Sequence, residues 1–259
     1  MQRSVVMAYC KDKDLEILAL ASDEDLQILV DYLIKDKNGN LRLTEELTLT
    51  DGYKKYSDTP SKYWQEIAGE LQHFGGNGFA NLYRNIFSNG EGVMYREILC
   101  DVCDKMKVNY NSKAAVERIE QCLIQKVFID AIDEMNSEEL KKLIEELDLK
   151  TTDFTKEAMM AALQAGILKG GFLSYQIAVI VANAVAKTIL GRGLSLTANA
   201  TITRAMGAFA GPLGIALTIL WTLIDIAGPA YRVTIPAVLH VAYIRLKTKE
   251  ILRLESGRS

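Results

Sequence analysis

The stretch GGFLSYQIAVIVANAVA, residues 170–186, and its companion AMGAFAGPLGIALTILWTLI, residues 205–224, are uncharged runs of 17 and 20 residues. As helices they would extend about 25 and 30 Å, close to the thickness of a bilayer. The wider region Gly170–Ile244 carries only five formal charges, Lys187, Arg192, Arg204, Asp225 and Arg232, and everything before it is densely charged. Such a region either meets lipid or forms an unusually apolar core. Either way, the pattern predicts an all-α chain, a multi-helix bundle with a C-terminal Gly/Ala-rich hydrophobic helical hairpin.

Glycine and proline organise this region. Ala210-Gly211-Pro212 and Ala227-Gly228-Pro229 repeat one tripeptide, and a proline is comfortable in the first turn of a helix but disruptive inside one. The 20-residue run is therefore expected to break near Gly211, leaving Pro212–Ile226 as a shorter segment. Pro236 by the same reasoning would start a final helix, apolar through Ile244 and basic through Arg245, Lys247, Lys249 and Arg253, which could lie at an interface. In the first run, Gln176, Asn183 and Lys187 fall on one helical stripe opposite Phe172, Ile177, Val179, Ile180 and Val181. That stripe would line a pore in an oligomer or be the solvated side of a soluble helix. Gly207 and Gly211 give a Gly-x-x-x-Gly spacing that permits close helix approach in membranes, although the break before Pro212 explains Gly211 equally well.

Ahead of Gly170 nearly every segment has helical periodicity and strand alternation is scarce. Ser22 is a good N-cap for a helix carrying Leu26, Leu29, Val30 and Leu33 on one face and ending near Asn38-Gly39-Asn40. Asn136 or Ser137 precedes a similar unit with Leu140, Leu143, Ile144 and Leu147. Between them lie helical patterns at Tyr63–Phe74, Tyr95–Val108 and Lys113–Met135. Thr155–Lys169 reads as a capped helix ending at Gly170-Gly171, where the composition changes. The expected division is a short N-terminal helical module over residues 1–50, a helical middle domain over 51–169 and the hydrophobic region with its basic last helix over 170–259.

The net charge of −3 conceals an asymmetry, because residues 170–259 hold nine Lys plus Arg against three Asp plus Glu and residues 1–169 hold 21 against 30. A basic apolar end suits anionic lipid, and an acidic front half argues against nucleic acid as the main partner. Alternatively, the two halves neutralise each other. Cys10, Cys100, Cys103 and Cys122 are too sparse for a disulfide scaffold and fit a reducing cytosol. Met1–Ala21 lacks the apolar core of an export signal.

Enzyme chemistry is thinly represented, and no enzyme, cofactor or metal is expected. Cys100 and Cys103 form a lone Cys-x-x-Cys in a helical pattern, better read as buried structural thiols. His73 and His240 lack metal-ligand spacing. Gly75-Gly76-Asn77-Gly78 lacks the strand, Lys and Ser/Thr of a phosphate loop and reads as a helix-ending turn.

Three blocks carry a resemblance: WQEIAGELQHFGGN at residues 64–77, YREILCDV at 95–102 and GPAYRVTIPAV at 228–238. They resemble the YaaW-type family of uncharacterised bacterial proteins, over most of the chain. The resemblance implies an N-terminal helical module around Asp14–Leu33 joined to a helical middle distantly similar to the ubiquinol–cytochrome c chaperone family. It implies an assembly or interaction role with no transferable catalytic residue.

Two functions follow as expectations. One is a bacterial protein associated with or inserted in the inner membrane, with permeabilisation as one outcome of insertion, whose candidate lipid- or partner-binding residues are Phe172, Ile177, Ile180, Gly207, Gly211, Trp221, Asp225 and Arg232. Its partners would be anionic lipids of the inner leaflet, and a homo-oligomer fits a pore. The other is a cytoplasmic assembly chaperone or protein-interaction module whose hydrophobic hairpin is its core. In both, Trp64, Ile67, Leu71 and Phe74 recur at helical spacing as core or partner-groove residues, with His73 a structural polar group beside them.

Overall fold

Ser22 opens the first long helix as its residue type requires: its Oγ accepts from the Asp25 backbone N–H at 3.2 Å, satisfying a donor that the helix cannot pair internally. The computed structural model describes residues 9–36, 38–78, 93–133, 135–149, 151, 153, 155–169, 171–194 and 228–256. Among these are nine α-helices: α1 (Asp23–Ile34), α2 (Asp51–Tyr56), α3 (Trp64–Gly78), α4 (Tyr95–Lys105), α5 (Val116–Asp133), α6 (Ser137–Glu146), α7 (Lys156–Lys169), α8 (Phe172–Leu190) and α9 (Tyr231–Ser256). Among the described residues the extended pairing is a single antiparallel bridge between Lys35 and Leu41. The chain is an all-α bundle.

Local capping explains several boundaries. Asn136 accepts from the N–H groups of Glu138 and Glu139 while Glu139 reaches back to the Asn136 N–H, a complete capping box that starts α6. Gly191, at φ +67°, ends α8 in the left-handed conformation and donates to the Lys187 carbonyl. Gly75 and Gly76 do not end a helix at their own position, because α3 runs on to Gly78. Gly75 has a different reason for being glycine: a Cβ there would stand 2.5 Å from Ile98 Cγ1, so its bareness lets α3 approach α4 closely.

The 26-residue α9 is the centre of the bundle, packed against α1, α3, α4, α5 and α8. Every residue from Val233 to Arg245 is buried. Pro236 does not start this helix as its residue type suggested; it sits in the second turn. There it removes one backbone bond, and burial on all sides of Val233–Ile244 compensates. The Ala230 carbonyl accepts from the N–H groups of Val233 and Thr234, and from the Thr234 hydroxyl, which fixes the helix start ahead of the proline.

Among the described residues α8 is the one helix long and apolar enough to cross a membrane. It is built into the bundle, packed on α9, α5 and α1. Gln176 and Asn183 are buried with the apolar residues around them. The polar stripe is thus divided: Gln176 and Asn183 face the core and Lys187 is exposed; Asn183 Oδ1 accepts the Leu194 N–H at 3.0 Å and ties down the chain leaving α8. The second uncharged run, with Gly207, Gly211, Trp221, Asp225 and the Ala210-Gly211-Pro212 break, lies outside the described residues.

Candidate functional site

The densest chemistry in the described protein surrounds α9, where two acids from the front half meet cations from the back. Arg245 Nε donates to Glu120 Oε2 of α5 at 2.8 Å, and the same carboxylate accepts the Tyr95 hydroxyl of α4 at 2.7 Å. Arg245 also donates through Nη2 to the Asp14 carbonyl. Burial pushes the Glu120 carboxyl up, with Arg245 and the Tyr95 hydroxyl opposing. Burial alone would lower the Arg245 guanidinium, but Glu120 and Tyr95 outweigh it and hold it above its usual range.

On another side of α9, Asp25 of α1 collects four partners. Lys247 Nζ lies 2.6 Å from Oδ2, the Tyr243 hydroxyl donates to Oδ1 at 3.0 Å and the Ser22 hydroxyl donates to Oδ2 at 3.0 Å. The fourth is His240, whose Nε2 is 2.8 Å from the Asp25 backbone oxygen. A carbonyl only accepts, so Nε2 carries the proton and Nδ1 is bare. Nδ1 is buried without a hydrogen bond, so protonating the ring would bury an unpaired charge. Burial accordingly pushes the His240 pKa down to about 4.

A third cross-chain pair closes the exit of α8: Arg192 pairs with the buried Asp31 of α1, which also holds Lys35 at 2.8 Å. A fourth acid stands apart. Glu70 of α3 is fully buried and accepts the Glu46 N–H at 3.1 Å, fastening the segment before α2. Burial, with Glu45 and Glu46 nearby, pushes its carboxyl up to about 8, which favours the protonated form near neutral pH.

The sequence-derived candidates are distributed through this framework. Ile67, Leu71 and Phe74 are buried in the core, Trp64 is half-buried and meets the edge of Tyr9 at 5.7 Å between ring centroids, and His73 is half-buried against Phe74. Ile177 and Ile180 are buried, and Phe172 is half-buried beside Tyr175 at the start of α8. Arg232 lies in the first turn of α9, half-buried, within electrostatic reach of Arg42. Cys103 is buried and Cys100 half-buried, and burial pushes both thiols up, the direction of inert structural cysteines. Sequence reasoning missed Glu120, Asp25, Asp31 and Glu70. Their one signal was placement: Asp25, Asp31 and Glu120 stand on helices at spacings that share the apolar face.

A family described as ubiquinol-cytochrome C chaperone matches residues 60–239, and a domain of unknown function, DUF3944, matches residues 9–43. A UPF0174 protein of Helicobacter pylori strain J99 is 51% identical over 245 residues, covering 94% of this chain and 95% of the relative. Another, from Helicobacter pylori strain 26695, is 40% identical over 212 residues, 80% of this chain and 99% of the relative. The UPF0174 protein YaaW of Escherichia coli strain K12 is 32% identical over 243 residues, 92% of this chain and 95% of the relative. No solved structure matches the chain.

Proposed function

The chain belongs to the UPF0174 family and to the ubiquinol-cytochrome C chaperone family, and from that premise we propose that it is a cytoplasmic, non-catalytic assembly factor that holds a protein client on a rigid helical surface. The observation that carries this reading is the direction of the α9 charges. Arg245 and Lys247 turn inward onto Glu120 and Asp25, so the strongest polar constellation in the described protein joins helices to one another. In this proposal residues 1–50, 51–169 and 170–259 contribute to one scaffold, and the exposed faces of the helices carry recognition. Cross-linking of the full chain in its own host, followed by reconstitution with the purified partner, tests the proposal. A saturable complex is the expected result; a chain that forms no complex with any cross-linked partner after purification refutes it.

A second reading keeps the inner membrane as the partner, motivated by the uncharged run 205–224 and by the single acid, Asp225, at its end. Insertion would favour a protonated Asp225, because an ionised carboxylate in hydrocarbon is costly. Asp225→Asn should then leak anionic vesicles more strongly at neutral pH than the parent, with a smaller gain on acidification. Unchanged leakage with a lowered melting temperature removes this reading.

A further inference from the structure

The segment between α1 and α2 projects large apolar side chains into solvent on a firmly built base. Leu43 is 104% exposed, Leu41 58% and Leu49 44%. A side chain exposed beyond its extended reference stands out from the surface, and the surrounding backbone is not loose. The Arg42 N–H donates to the Ile34 carbonyl at 2.8 Å, the Glu46 N–H to Glu70 at 3.1 Å and the Thr48 N–H to Glu45 at 2.9 Å. Three leucines held outward offer apolar area that a partner could bury.

Cations follow the leucines along the chain. Lys54 Nζ donates to the Leu49 carbonyl, which sets it directly beside one of the leucines. Lys55 and Lys62 bring their ammonium groups to 5.0 and 4.8 Å from the centroid of the Tyr56 ring, and all three lysines are exposed. Among the described residues none of the three has a carboxylate oxygen within 4.0 Å. The exposed acids of the same stretch are Asp51, the first residue of α2, and Asp58, so the exposed lysines outnumber them three to two.

We propose that Leu41, Leu43 and Leu49, with Lys54, Lys55, Lys62 and Tyr56, form a peripheral docking surface for a membrane bearing anionic lipid headgroups. The shape selects a bilayer over a peptide: a projecting leucine enters the headgroup boundary, whereas a peptide needs a groove to receive its own side chains. Charge complementarity selects anionic lipid, since each lysine held at such a surface adds to the attraction and none here is neutralised by an ion pair. The surface lies in the front half of the sequence and works without any helix leaving the bundle. It is independent of which protein the chain binds.

Co-sedimentation of the full chain with vesicles of phosphatidylcholine alone, and with phosphatidylglycerol added, tests this. Binding is expected with phosphatidylglycerol, falling as salt is raised. The triple change Lys54→Glu, Lys55→Glu and Lys62→Glu should weaken it by about tenfold or more, and Leu43→Ser by several-fold. Leu252→Ser, at the exposed end of α9, should leave it intact, and all variants should melt with the parent because the changed side chains are exposed. The proposal is overturned if phosphatidylglycerol vesicles bind no protein, or if the triple variant binds like the parent. It is also overturned if soluble polyglutamate competes fully while Leu43→Ser has no effect, which would make the surface an acidic-peptide site.

Discussion

Arg245 and Glu120, 125 residues apart in sequence, meet at 2.8 Å inside the bundle, where the basic end of the chain neutralises its acidic front. Lys247 with Asp25 and Arg192 with Asp31 repeat the relationship. Part of the charge asymmetry that suggests a lipid-seeking tail is therefore internal. Of the cations in the second half of α9, Arg245 and Lys247 are engaged in such pairs, and Arg253 folds back on Glu250 at 2.7 Å.

Breaking the buried pair on one side should be severe. Glu120→Gln or Arg245→Met is expected to lower unfolding free energy by about 3–5 kcal/mol, because the surviving group is left buried without its partner. The double variant Glu120→Gln, Arg245→Met should lose less than the two single losses added together. Urea unfolding of all four proteins checks this; equal and additive losses would show that the two side chains do not act as a pair.

Glu70 and His240 should give stability opposite dependences on pH. The folded Glu70 titrates near 8 against an ordinary value of 4.5, so between those values the unfolded chain has released a proton that the folded chain keeps. Its contribution is present below about pH 4.5 and lost as pH rises through 8. Glu70→Gln should therefore match the parent near about pH 5 and exceed it increasingly toward pH 8. His240, lowered from 6.5 to about 4, contributes stability above 6.5 that is lost as pH falls toward 4. Melting temperatures across this range should show Glu70→Gln losing the alkaline decline while keeping the acid one.

The two adjacent glycines of α3 should separate cleanly. Gly75→Ala drives a Cβ into Ile98 and is expected to destabilise by about 1–3 kcal/mol. At Gly76 the nearest contact of a new Cβ is Val93 at 3.5 Å, so Gly76→Ala should stabilise by up to about 1 kcal/mol through helix propensity. Thermal melts of the two variants check the difference.

Much of the fold was legible because it is local. Ser22 and Asn136 announce their helices through side chains that cap within three residues, and the leucines of α1 and α6 share one face. The course of α9 was not legible: Pro236 reads as a helix start, and only the burial of Val233–Ile244 by five other helices explains its place in a second turn. The candidate site divides in the same way. Ile67, Leu71 and Phe74 follow from spacing, but no spacing links Glu120 to Arg245 or Asp25 to Lys247. The identity of the surroundings of α8 was also ambiguous in principle, since hydrocarbon and a protein core select similar side chains; the burial of Gln176 and Asn183 is a property of packing.

Trp64 and Leu71 should differ although both belong to the same helical motif. Leu71 is fully buried, and Leu71→Ala is expected to remove about 2–5 kcal/mol. Trp64, half-buried against Tyr9, should lose less, about 1–2 kcal/mol. Chemical unfolding of both alanine variants checks the order, and a larger loss at Trp64 would place its indole deeper than the Tyr9 edge contact indicates.

The central claim is that α8 and α9 are the interior of one bundle, and with it goes the proposal that membrane contact is peripheral. Alkaline carbonate extraction of membranes from cells producing the untagged chain tests it most directly. The expected result is complete release into the soluble fraction, since the proposed docking through Leu43 and the α2 lysines leaves α8 and α9 inside the bundle. Retention in the pellet with integral proteins would contradict the claim and return the uncharged runs to the membrane.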